Sequence, residues 1–236
     1  MRGSVIGVVV AIGAMGLSFN SLEARVMPES KSDQTLKSCE STLFYYENNA
    51  EEYADKTRQL NLERAHDRFL RNVPMRGRVM DLGVGSGRDS KIFMDRGLQV
   101  FPVEASQAMA LEAQKLIKTP VHVARMQDIH PPSESLDGIW ASASMLHLNP
   151  RDFVQTLQMA FSSLRKGGVF YLSLKTNSMS QEYVDENGRY FFLWNRKELL
   201  RVIEATTGFR IIEDWNNPDA NDRPNTLWTN LVLKKD

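Results

Sequence analysis

A single cysteine, Cys39, stands in this chain of 236 residues, which excludes an internal disulfide and any zinc site built on cysteine pairs. Histidine is scarce too: His66, His122, His130 and His147 show no metal-ligand spacing, so no metal is expected. There is no excess of charge, with 29 basic and 29 acidic residues, and no basic run. Such a chain offers no broad field to a polyanion, which makes a small molecule a better partner than nucleic acid. No internal repeat is present, and nothing in the composition sets an oligomeric state. The apolar, glycine-rich run from Val5 to Phe19 is too short for a confident membrane span. Behind Arg2 it resembles the start and middle of a signal peptide, although Leu22-Glu23-Ala24 departs from a small-residue cleavage site. An export signal, a membrane-associated tail and an extension outside the fold all remain open. Met27 to Lys37, polar and uneven, reads as a linker, so residues 1–36 are expected to precede one α/β domain spanning 37–236.

What is present is concentrated in Arg78 to Ser90, RVMDLGVGSGRDS, where a short apolar run meets an acid, three alternating glycines and a polar helix start. Gly83, Gly85 and Gly87 leave no Cβ in the way of a ligand, and the N–H groups opening the next helix favour an anionic group on it. The dinucleotide fingerprint G-x-G-x-x-G is not met, because Arg88 takes the place of its third glycine, which disfavours a nicotinamide or flavin oxidoreductase. Glu104 supplies a second anchor. It closes the strand-like run Leu98 to Val103, about 20 residues past the loop, where a carboxylate accepts from ribose hydroxyls.

These residues, together with the segment Tyr45-Tyr46-Glu47-Asn48-Asn49-Ala50-Glu51-Glu52-Tyr53-Ala54-Asp55-Lys56-Thr57, make the chain resemble the small stand-alone class I methyltransferases that use S-adenosylmethionine. The resemblance runs from about residue 45 to the C-terminus. It implies an α/β fold with a doubly wound, seven-stranded, mostly parallel sheet whose last strand is antiparallel, and S-adenosylmethionine over the C-terminal ends of its first strands. It implies that Gly83, Gly85 and Gly87 lie at the aminocarboxypropyl end, Asp81 near its ammonium or neighbouring waters, Glu104 at the ribose, and Gln127 and Asp128 at the adenine. Asp128 reads equally as a turn cap before Pro131-Pro132. Tyr45 and Tyr46 would close the site, or serve as core packing. A cytoplasmic metabolite as cofactor favours a cytoplasmic protein, and with it the reading of the N-terminal run as an extension.

The remaining elements follow from periodicity. Tyr45 to Val73 is mostly helical, with Leu62, Ala65, Phe69 and Leu70 on one stripe. Ser106 caps a helix to Lys118, Val121 to Met126 alternates as a third strand, and Leu136 to Ser142 forms a fourth. Asn149-Pro150 opens a helix, Val169 to Leu174 is the fifth strand, and Gly188 centres a hairpin-like insertion. Asn195-x-x-Glu198 resembles a capping box, and Phe209 to Asp214 and Leu227 to Leu233 are the last two strands. The polar loop between them, with Asp222, Arg223 and Pro224, is expected to roof the substrate side. After the fourth strand the chain reads Ala-Ser-Ala-Ser-Met, without the D/N-P-P-Y/F segment common in methylation of nucleic-acid bases. His147, at that edge, is the candidate catalytic base, since an imidazole titrates near neutral pH; a backbone or cofactor contact is the bland alternative. Binding without turnover, as a sensor or scaffold, is the alternative function.

Overall fold

Strand β5 (Leu164–Asn177) is apolar on both faces from Val169 to Leu174, and a strand of that kind must lie in the middle of a covered sheet. In the computed structural model, which describes residues 32–218 and 227–236, it does. On one side it pairs in parallel with β4 (Leu136–Ser142), which is followed by β1 (Arg78–Leu82), β2 (Gln99–Glu104) and β3 (His122–Val123). On the other it pairs antiparallel with β9 (Leu227–Lys235), which in turn holds β8 (Phe209–Pro218) antiparallel. The main sheet therefore runs β3-β2-β1-β4-β5-β9-β8, the expected seven strands with the last in sequence reversed.

Helices cover both faces. Phe153, Leu157 and Ala160 of α6 (Pro150–Ser163) and Leu199 and Ile203 of α7 (Arg196–Thr206) bury against Met80, Leu82, Ile139 and Leu172. Across the sheet, Ala65 and Phe69 of α3 (Glu63–Leu70) and Phe93 of α4 (Arg88–Asp95) meet Val79, Trp140, Tyr171 and Val232. The expected caps form: the Ser106 hydroxyl accepts from Met109 N at the start of α5 (Gln107–Ile117), and Asn149 Oδ1 accepts from Asp152 N. At α7 only half of the capping box closes. Asn195 Oδ1 accepts from Lys197 N and Glu198 N, but Glu198 binds the Ser180 hydroxyl, which accepts from Asn195 N.

Two expectations change. The third strand shrinks from 121–126 to His122–Val123, because both residues are exposed at a sheet edge and have no core to bury; Met126–Asp128 turns into a 3-10 helix. The boundary expected before residue 37 falls inside α1 (Ser32–Asn48). Residues 1–31, and Asp222, Arg223 and Pro224, lie outside the described residues.

The insertion is a hairpin of β6 (Gln181–Val184) and β7 (Tyr190–Asn195). Its turn is fixed by Asp185, whose carboxylate accepts from Asn187 N and Arg189 N and from the Arg189 guanidinium. Strand β5 outruns β4, and β7 pairs with its free end at Thr176 and Asn177. The hairpin thus stands at the C-terminal edge of the parallel strands, where it meets α1: Ser41 donates to Gly188 O at 2.6 Å and Thr42 Oγ1 accepts from Tyr190 N at 2.7 Å.

Candidate active site

At the end of β1 the chain folds tightly enough that Gly83 N and Val84 N both donate to Val103 O, at 2.9 and 3.0 Å. Gly83 has φ +80° and a Cβ there would lie 2.5 Å from Ser144 Cβ, so this glycine lets the segment after β4 close on the loop. Gly87 serves packing instead. It starts α4 at φ +82°, and a Cβ would meet Ala113 of α5 at 3.1 Å, so it is not on the cavity wall as expected. Beside Gly85, by contrast, the nearest atom to an added Cβ is Gly83 O at 3.9 Å.

Glu104 ends β2 with its carboxylate held by three backbone donors: Gly85 N at 3.0 Å, Ala105 N at 2.9 Å and Ser106 N at 3.1 Å. Burial raises its pKa against those three bonds. It stands on the wall of a cavity of about 530 Å³ that also takes in Gly83, Gly85, Ser144, Tyr45, Tyr46 and Gln127. Asp128 is not on that wall; its carboxylate pairs with Arg125 Nε at 2.8 Å, an i,i+3 bridge of the turn.

Nor is Asp81, because strand alternation puts it on the face of Val79, under α3 and α4. It is 2% exposed and accepts from Ser90 Oγ at 2.7 Å. Burial, and then the charge of Asp89, push its pKa up to about 8. Asp89 takes the opposite course. His66 Nε2 (2.9 Å), Arg88 Nε (2.7 Å), Arg88 Nη2 (2.9 Å) and Trp140 Nε1 (3.0 Å) all donate to it. Those donors and the Arg88 charge outweigh its burial and hold it well below the usual carboxylate range. Sequence reading missed this cluster, although the only local signal for it is an Arg-Asp pair opening a helix.

The far end of the cavity is aromatic. Helices α1 and α2 (Ala50–Arg58) bring in Tyr45, Tyr46 and Tyr53, the last two in edge contact at 5.0 Å. The segment is clipped on by Glu47, which accepts from Gln107 N and Ala108 N at the start of α5, and by Arg88 Nη1, which donates to Thr57 O at 2.9 Å. His147 Nδ1 lies 2.6 Å from Tyr190 O, so that nitrogen carries the proton and Nε2 accepts from the Tyr46 hydroxyl at 3.0 Å. Both ring nitrogens of the expected base are engaged. Burial, outweighing the bond to Tyr190 O, lowers its pKa to about 4, and the Tyr46 phenol is raised well above its ordinary value.

These shifts give a pH dependence. Between about pH 4 and 8 Asp81 keeps its proton in the fold while an unfolded aspartate has lost it, so the folded state binds more protons and stability falls as pH rises. His147 opposes this below about pH 6.5, where the unfolded ring is protonated and the folded one is not. Glu104, also raised, acts with Asp81. Thermal stability is therefore expected to decline between pH 6.5 and 8, by up to about 1.4 kcal/mol per unit from Asp81 alone. Asp81→Asn keeps an acceptor for Ser90 and should flatten that limb in a pH series of melting curves. A decline that persists unchanged in the variant would refute the assignment.

Among the described residues no group of three or more His, Cys, Asp or Glu side chains is placed to hold a metal ion, and no helix is long and apolar enough to cross a membrane.

A profile of the methyltransferase domain matches residues 79–168. An uncharacterized methyltransferase from Alkaliphilus oremlandii is 26% identical over 142 residues, 58% of each chain, so the likeness spans little more than half of that relative's length. Among solved structures, 1,6-didemethyltoxoflavin-N1-methyltransferase from Burkholderia thailandensis, with bound 1,6-didemethyltoxoflavin and S-adenosylhomocysteine, superposes with a TM-score of 0.69 at 17% identity. That match covers 89% of this chain and 92% of the other. A S-adenosylmethionine-dependent methyltransferase from Leishmania major gives 0.63 at 17% identity, covering 89% and 88%. Residues 79–168 are thus a methyltransferase domain, set in a chain with the fold of the class I methyltransferases, whose cofactor is S-adenosylmethionine.

Proposed function

We propose that this protein transfers a methyl group from S-adenosylmethionine to a small-molecule acceptor. The observation that carries this reading is one continuous cavity at the C-terminal edge of the sheet, running from Glu104 and the glycine loop to a chamber walled by Tyr46, His147, Lys175 and Phe191. The residues fit the cofactor. Space is open beside Gly85, the Glu104 carboxylate faces the cavity, and the buried Ser144 hydroxyl on its wall has no hydrogen-bond partner among the described residues.

In this reading Gly83 and Gly85 receive the aminocarboxypropyl end, Glu104 the ribose hydroxyls, and Met126 and Gln127 the adenine side. Asp81 acts from below the floor through Ser90, and Asp89 and Arg88 fix the start of α4. When bound, the cofactor supplies an electrophilic methyl group on a sulfonium, whose bond electrons stay with sulfur as the acceptor's lone pair takes the carbon. No anion develops on the leaving group, so the protein's share is positioning and exclusion of water. Helices α1 and α2 and the hairpin enclose the chamber. His147 orients the Tyr46 hydroxyl, a positioning role that leaves its nitrogens no proton to take at neutral pH. The supply of the cofactor favours a cytoplasmic protein.

The protein from Burkholderia acts on a small molecule, and a cavity at this edge of the sheet suits one here. The test is transfer of label from S-adenosylmethionine into a fractionated cell extract, with release of S-adenosylhomocysteine. Cofactor binding without label transfer to any fraction would favour a sensor, and absence of cofactor binding would remove the reading.

A further inference from the structure

Ser144 follows β4 and is 9% exposed, and its buried hydroxyl has no hydrogen-bond partner among the described residues, a state that costs folding free energy. The residue before it is strained. Ala143 takes φ +54°, in the left-handed region, and is held there through its N–H, which donates to Ser173 O at 3.1 Å and to Ser173 Oγ at 3.0 Å. Two costs thus fall on consecutive residues of the cavity wall. They adjoin the glycine loop: a Cβ on Gly83 would lie 2.5 Å from Ser144 Cβ and 3.3 Å from its Oγ. Since Ser144 is on the wall, rotation about its Cα–Cβ bond between staggered positions is the movement that turns the hydroxyl to the cavity. The carboxylates beside the loop are committed elsewhere. Asp81 lies beneath the floor with Ser90, Asp89 accepts from His66, Arg88 and Trp140, and Glu104 accepts from three backbone N–H groups and serves the ribose in the reading above. A carboxylate arriving at the loop meets Arg88 and the start of α4, whereas an ammonium there needs an acceptor.

We infer that the Ser144 hydroxyl accepts a hydrogen bond from the ammonium at the cofactor's amino-acid end, which makes Ser144 a cofactor contact of the methyl transfer proposed above, on which this inference rests. The unpartnered hydroxyl and the left-handed turn at Ala143 then have one cause: the turn carries the serine over Gly83, and the ligand completes the bond. A hydroxyl oxygen has lone pairs to accept with, and a charged donor makes the bond one of the stronger kind. The placement bears on the chemistry. With the ammonium fixed at Ser144 and the ribose at Glu104, the sulfonium between them is held at both ends, and its methyl group keeps one direction. The fold itself loses no hydrogen bond when this hydroxyl is removed, so its effect belongs to the ligand.

The experiment is calorimetry on the full chain, wild type and Ser144→Ala, with S-adenosylhomocysteine and with its deaminated analogue, in which hydrogen replaces the ammonium. The analogue is read by displacement of S-adenosylhomocysteine, which reaches weak affinities. Ser144→Ala is expected to bind S-adenosylhomocysteine about tenfold more weakly than the wild type does, and to bind the analogue equally well. Melting curves of the two proteins without ligand should coincide. Equal binding of S-adenosylhomocysteine by both proteins, or a loss that carries over to the analogue, would overturn the inference. So would an alanine variant that melts well below the wild type or does not fold, since the hydroxyl would then hold the protein rather than the ligand. These outcomes leave the methyltransferase reading in place, whereas a wild type that takes up no S-adenosylhomocysteine would remove that reading and the inference together.

Discussion

Asp89→Ala is expected to lower folding stability by about 3–5 kcal/mol, because it strips the partner from a buried cation and from two further buried donors at once. The carboxylate gathers His66 from α3, Arg88 from its own helix and Trp140 from β4, and all three are largely or wholly buried. Alanine leaves the guanidinium, the imidazole N–H and the indole N–H without the carboxylate they share. Asp89→Asn keeps the shape and part of the acceptor capacity, and should fall between wild type and alanine. Urea titration of the three proteins measures this, and the alanine variant should also melt roughly 10 °C or more below wild type. An alanine variant within about 1 kcal/mol of wild type would show that the cluster contributes shape rather than charge.

Glu104→Ala should leave the fold standing and weaken S-adenosylhomocysteine binding by about 10- to 100-fold, the loss of hydrogen bonds from two hydroxyls to one charged acceptor. The carboxylate is on the cavity wall, so its removal widens an existing space instead of opening a void in the core. Its three backbone donors do lose an acceptor, and a modest fall in melting temperature accompanies the affinity loss. Isothermal calorimetry on the folded variant separates the two effects. Unchanged affinity would remove Glu104 from the cofactor site and with it the spacing argument that joined Glu104 to the glycine loop.

That spacing was legible because both anchors sit on local signals, a glycine turn after an apolar run and an acid at the end of the next one. The fold was legible for the same reason: Val169 to Leu174 announces a central strand, and Gly188 announces a turn that φ +79° bears out. Asp81 shows where sequence reading stops. It stands two residues before Gly83, next to the loop in sequence, yet the period of a strand turns it beneath the floor, and only Ser90, Asp89 and Trp140 together reveal why a buried acid is tolerated there. Asp128 is adjacent to a cavity residue and faces away from it through an ion pair that sequence alone leaves undecided. Lys175 and Arg189 had no local signal at all. Each is one charge among 29, and its place beside aromatic rings depends on a hairpin folding back over the end of β5.

The distribution of the indoles carries an optical consequence. Trp140 is fully buried, hydrogen-bonded to Asp89 and stacked on Tyr171 at 3.8 Å, and Trp194 is 5% exposed, so both emit from environments that a dissolved quencher does not reach. Trp215 lies under the Arg68 guanidinium, 4.4 Å from its ring, away from the cavity. Of the four tryptophans only Trp228 lines the cavity. Fluorescence from this chain therefore separates by position: quenching by an aromatic ligand reports Trp228 and the occupancy of the chamber, whereas a red shift of the blue-edge emission reports Trp140 and Trp194 and the unfolding of the layers on the two faces of the sheet.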